Sequence, residues 1–263
     1  LARLRASAVQ ATEGLDAAID DGFARCCEID RLGFAWVDED ALATVPEEVA
    51  WRLLARVLCG IGGTAWPAAT SSVRALRGRI LSRAGRPSGS LGRCRLLRRD
   101  RRLLICREHR NLPAAVAVEG GETVLWDGRF LVRIPPRRWL GGSRYRLMPA
   151  PQEVWRRPQA PAVEEALSRV PMEARLSLPV LMGESGEAIL PQAMPPHGCQ
   201  LKDASPPRLA IAFNPRRALK GTGRFLALAQ SRIMLWEEAL PAVLAVGGDL
   251  AGSGAEQEEQ REY

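Results

Sequence analysis

From Ser90 to Arg110 the chain reads SLGRCRLLRRDRRLLICREHR, and few architectures can absorb that stretch. Leu96, Leu97, Leu103, Leu104 and Ile105 stand among arginines on both sides of Arg99-Asp100-Arg101, a pattern that reads as two strands folded about a turn. Such a hairpin needs a core beneath its apolar side and invites an anion above its guanidinium groups. With the turn centred on Asp100, Cys94 and Cys106 become cross-strand neighbours. They read as two small buried apolar residues rather than as a redox pair.

Charge along the chain points to the nature of the anion. The 263 residues carry 37 Lys and Arg against 30 Asp and Glu, a formal net charge of +7. Only Lys202 and Lys220 are lysines, so almost every cation is a guanidinium able to grip phosphate through two parallel hydrogen bonds. Biased composition alone would give the same excess. Segregation is more telling: residues 6–48 hold 11 acids and two bases, whereas residues 74–110 hold 13 arginines and two acids. An RNA backbone is the expected partner of the basic segment. The candidate contacts are Arg74, Arg77, Arg93, Arg95, Arg98, Arg99, Arg101 and Arg102. Were the acidic segment to face the basic one within the fold, less positive surface would remain.

Around this hairpin the chain divides into a helical region and a β-rich one. Leu4, Ala8, Ala11, Leu15, Ala18, Ile19, Phe23 and Cys26 recur at helical spacing, predicting a helix over residues 1–28 that packs closely at Gly14 and Gly22. Residues 32–37 read as a strand or extended link. Thr44 is placed as the cap of a second helix ending at Gly60, Gly62 and Gly63, and a third helix starts near Thr70. Beyond residue 90, short strand candidates alternate with Gly and Pro signals, and Asp127-Gly128 is a strong turn dipeptide. Residues 162–170 read as a short helix, Gly183–Gly186 as a hairpin turn, and 191–207 as irregular; residues 225–236 fit strand or helix equally. The expected fold is α+β: a helical region over 1–86, a smaller β-rich region with hairpins over 87–246, and a disordered tail over 247–263.

Chemistry-bearing constellations are lacking. The six cysteines include no C-x-x-C, and His109 and His197 have no nearby Ser, Cys or carboxylate to form a triad. Trp51, Trp66 and Trp126 read as core or contact residues rather than nucleobase platforms. Val246-Gly247-Gly248-Asp249-Leu250 lacks the serines and following helix that a phosphate loop requires. No catalytic, cofactor-binding or metal-binding residue is therefore assigned. No apolar run is long enough for a membrane span. The chain opens at Leu1 inside an amphipathic pattern, as a fragment would.

Several stretches, in order, carry a family likeness: Pro46-Glu47-Glu48-Val49 leading to Leu53-Leu54-Ala55-Arg56-Val57-Leu58 and Gly62-Gly63; Ser90-Leu91-Gly92-Arg93-Cys94-Arg95; Leu104-Ile105-Cys106-Arg107-Glu108; Trp126-Asp127-Gly128-Arg129-Phe130; and Leu178-Pro179-Val180-Leu181. Over residues 1–230 the sequence resembles the carboxy-terminal part of bacterial tRNA(Ile)-lysidine synthase. The resemblance implies a cytoplasmic ligase whose complete form uses ATP and Mg²⁺ to adenylate the wobble cytidine of an isoleucine tRNA, after which the lysine amine displaces AMP. The family's ATP loop, Ser-Gly-Gly-x-Asp-Ser, has no counterpart here, so no cofactor is expected in this chain. It is expected to bind tRNA without making lysidine; whether it forms a homodimer is left open. A free-standing RNA-binding protein and a protein-interaction module with compositional arginine bias are the alternatives.

Overall fold

The computed structural model describes residues 2–82, 89–134, 144–156, 164, 167–184, 186, 188–189 and 210–213. Expectations for the 83–88 link, for 191–207, 225–236 and the 247–263 tail, and for His197 and Cys199, lie outside these residues. Of the short helix expected over 162–170, residues 164, 167 and 168 are helical.

The described residues form an α+β fold, as expected. Helix α1 (Ala2–Cys26) leads directly into strand β1 (Cys27–Asp30), which pairs with β2 (Phe34–Asp38). Helices α2 (Glu39–Ala43), α3 (Glu47–Gly62) and α4 (Thr70–Leu81) follow. After them come β3 (Gly89–Leu91), β4 (Cys94–Arg99) and β5 (Arg102–Arg107). Five antiparallel strands make one sheet in the order β1-β2-β5-β4-β3. Because β2 pairs with β5 from Phe34↔Cys106 to Asp38↔Arg102, the sheet runs across the expected 86/87 division. Helices and hairpin share a core.

The rest is built from two smaller antiparallel sheets. Strands β6 (Val116–Val118), β9 (Tyr145–Pro149), β10 (Pro179–Gly183) and β11 (Ala188–Ile189) form one in the order β11-β10-β9-β6. Strands β7 (Thr123–Trp126), β8 (Phe130–Arg133) and β12 (Ala210–Phe213) form the other in the order β12-β8-β7. Helices α5 (Gln152–Arg156) and α6 (Met172–Arg175) are single turns.

Helix α3 is the pivot of the arrangement. Its stripe of Leu53, Leu54, Val57, Leu58 and Ile61 is fully buried against α1, α4 and the sheet. Gly63 ends it in the left-handed region at φ 64°, donating its amide to the Gly60 carbonyl. A Cβ at Gly62 would overlap the carbonyl oxygen of Gly92, and one at Gly63 that of Asp127. Two turns from different sheets thus dock against the last residues of one helix.

Thr44 does not cap α3. Asp38 accepts from the Ala41 amide and starts α2, and Thr44 closes that helix with its hydroxyl donating to Ala41 O at 2.8 Å. Pro46 then stands before α3 without a side-chain cap. In α1, Gly22 packs against Val45, Val49 and Leu53, but a Cβ on Gly14 would meet open space, since residues 2–14 are exposed, Leu4 at 74%. Trp126 is core and Trp51 half-buried, as expected, but Trp66 is 79% exposed.

Candidate nucleic-acid interface

The turn of the β4–β5 hairpin has two central residues, Asp100 and Arg101, because Arg99 pairs with Arg102. Asp100 takes φ 55°, which its short side chain tolerates. Centring the turn between two residues rather than on Asp100 moves the register by one. Cys94 therefore faces Arg107, and Cys106 faces Arg95, so the two thiols point to opposite faces of the sheet instead of pairing. Both are buried free thiols, as is Cys26. Burial pushes the Cys94 thiol far above its ordinary range and the Cys106 thiol up to about 12.

One face of the hairpin carries Cys94, Leu96, Arg98, Leu103, Ile105 and Arg107 toward the helices; the other carries Arg95, Leu97, Arg99, Arg102, Leu104 and Cys106. The eight candidate arginines do not assemble into one outward cationic surface. Arg98 turns inward: its Nε donates to Glu39 Oε1 at 2.6 Å and its Nη2 to Ile80 O at 2.7 Å, with side-chain exposures of 13% for Arg98 and 6% for Glu39. Arg99 makes a two-pronged contact with Glu173, both distances 2.8 Å. Arg101 reaches Asp40 at 2.7 Å, and Arg102 reaches Glu28 at 2.6 Å while lying over the Trp36 ring.

Arg74 joins a separate group on α3 and α4. Glu48 accepts from Trp51 Nε1, Arg52 and Arg74, and both guanidiniums lie over the Trp51 ring. The indole hydrogen bond, then Arg52, holds the Glu48 carboxyl below the usual carboxylate range. Arg77 is half-buried, its Nε without a hydrogen-bond partner among the described residues, and Arg95 lies half-buried in mid-strand. The acidic segment does face the basic one: Glu28, Glu39, Asp40 and Glu48 are all among its residues. The opening helix contributes elsewhere, Asp16 and Asp20 holding Arg56.

Arg93 belongs to a different cluster, which the sequence reading did not assemble. It occupies the second position of the Gly92-Arg93 turn at φ 63°, and its Nη2 donates to Asp127 Oδ1 at 2.9 Å. Asp127 is at the first position of a type I′ turn with Gly128, closed by Arg129 N to Trp126 O at 3.0 Å. Its buried carboxylate also accepts from Arg107 Nε at 3.0 Å and from Arg129 Nε at 2.7 Å. Arg107 donates further to the carbonyls of Arg93, Glu108, Arg110 and Asn111, and Arg129 Nη2 donates to Ser177 O. Arg129 is fully buried, and its Nη1 has no hydrogen-bond partner among the described residues. Burial draws its pKa down to about 10, still above neutral pH. Strand alternation is the signal that could have found Arg107, which falls on the face of Cys94, Leu96 and Ile105. The Asp-Gly turn was legible, but not its long-range partners.

No family model matches the chain. Against curated proteins it is 30% identical over 160 residues to the tRNA(Ile)-lysidine synthase of Ruegeria pomeroyi, covering 57% of this chain and 35% of that protein. It is 32% identical over 111 residues to the tRNA(Ile)-lysidine synthase of Anaplasma marginale, covering 41% of this chain and 24% of that protein. The chain is similar to lysidine synthases. It spans about a quarter to a third of the length of these two curated relatives.

Proposed function

We propose that this chain is the carboxy-terminal, tRNA-gripping part of a cytoplasmic tRNA(Ile)-lysidine synthase, with adenylation and lysine transfer performed by another part of the complete enzyme. ATP, Mg²⁺ and lysine are partners of that complete enzyme rather than of this chain. The observation that carries the reading is the 30% identity over 160 residues to a lysidine synthase. The arginine-rich composition is compatible with it, since guanidiniums suit phosphate contacts on a folded RNA. Carboxylates already hold most of the candidate arginines, so phosphate has to compete for them. Few phosphate contacts are therefore expected.

Filter binding of an isoleucine tRNA transcript across a salt series tests the proposal. With about three phosphate contacts, the log–log salt slope should lie at roughly −2 to −3, and unrelated tRNAs should bind within a few-fold. Supplying ATP, Mg²⁺ and lysine should yield no lysidine. No retention at low salt, or affinity indifferent to salt, would refute tRNA binding.

A further inference from the structure

The two ends of the five-stranded sheet differ in charge. At the hairpin tip, four guanidiniums (Arg98, Arg99, Arg101 and Arg102) meet four carboxylates (Glu39, Glu173, Asp40 and Glu28), and Asp100 adds a fifth. Among these residues the tip carries no positive excess. At the opposite end, Arg93, Arg107 and Arg129 share the carboxylate of Asp127 and Arg110 follows Glu108 by two positions, an excess of two positive charges among these described residues. The negative end of α3, close by through Gly62 and Gly63, offsets only about half a charge.

Two of those four arginines are fully enclosed, where surrounding low-dielectric protein screens them poorly. Their field reaches water where the cluster meets the surface. That place is the Gly92-Arg93 turn and the Glu108–Asn111 loop, whose backbone carbonyls wrap the Arg107 guanidinium. Arg93, His109 and Arg110 are exposed there, and Arg110 has no ion-pair partner among the described residues.

Resting on the tRNA-binding reading, we infer that RNA phosphate is held at the Arg93–Arg110 end of the sheet and not at the hairpin tip. Arg110 and Arg93 make the contact, while buried Arg107 and Arg129 supply the field that draws the backbone in. An anion at this end meets Arg110, which no carboxylate among the described residues has claimed, and three further guanidiniums that share the single carboxylate of Asp127, whereas one at the tip must displace an acid from each guanidinium.

The test uses the full 263-residue chain and an isoleucine tRNA transcript, with Arg110→Glu and Arg110→Lys at one end and Arg101→Glu at the other. Both positions are exposed, and circular dichroism checks that the variants keep the fold. R110E should weaken binding at least about fivefold at 0.1 M salt and reduce the slope by about one, R110K should retain both, and R101E should leave both unchanged. If R101E flattens the slope as much as R110E does, or R110E has no effect, the location is wrong although tRNA binding stands. If the unsubstituted chain fails to bind tRNA, both readings are overturned.

Discussion

Asp127 meets three guanidiniums with one buried carboxylate. Hydrogen bonds at 2.7 to 3.2 Å from Arg93, Arg107 and Arg129 fix its orientation, and its φ of 51° places it at the apex of its turn. Asp127→Asn leaves three cations facing a neutral amide and should cost about 3–5 kcal/mol, read as a lower urea midpoint at unchanged m-value. Gly63→Ala places a methyl against the Asp127 carbonyl and forces a side chain into the left-handed region. That change should cost about 2–5 kcal/mol by the same measurement. The buried thiols make a prediction in pH. Burial keeps Cys94 and Cys106 protonated in the folded chain well above 9, while the unfolded chain ionises near 9. Their contribution is complete below pH 9 and declines as pH rises toward 12, because only the unfolded state gives up protons there. At pH 8, iodoacetamide should label both only after denaturant is added, as peptide mapping will reveal.

Between elements, ion pairs of similar length differ in consequence because of where they lie. Arg98 ties β4 to α2 through a nearly buried Glu39 and also satisfies the last turn of α4 through the Ile80 carbonyl. Arg98→Ala strands a buried carboxylate and should cost about 3 kcal/mol. Arg101, in the hairpin turn, also reaches α2 through Asp40, but 71% of its side chain is in water, and Arg101→Ala should cost less than about 0.5 kcal/mol. Chemical denaturation of the two variants side by side checks the contrast. A hairpin dense in arginine is thus held down by some of its charges and merely decorated by others.

Across the whole molecule, one contiguous core runs from Ile19 in α1 to Leu181 in β10, and the pairing of β2 with β5 carries it past residue 86. Unfolding should accordingly be a single transition: tryptophan fluorescence and far-ultraviolet circular dichroism should report the same urea midpoint. Two separated midpoints would instead restore independent helical and β-rich units.

Local rules made much of this legible. Helical spacing found α1, α3 and α4, and strand texture with an Asp-Gly dipeptide located the β7–β8 turn, because each depends on residues within a few positions of one another. The hairpin was visible too, though its register was not, since a two-residue turn and a three-residue one share the same apolar run. Charge partners were beyond reach of the linear chain. The acids that take the tip arginines lie 59 to 74 residues away, and Asp127 lies 34 residues beyond Arg93. Coulomb attraction depends on distance through space and on burial, neither of which is written along the chain. Folding alone set which guanidiniums are neutralised at the tip and which keep a positive excess at the opposite end of the sheet.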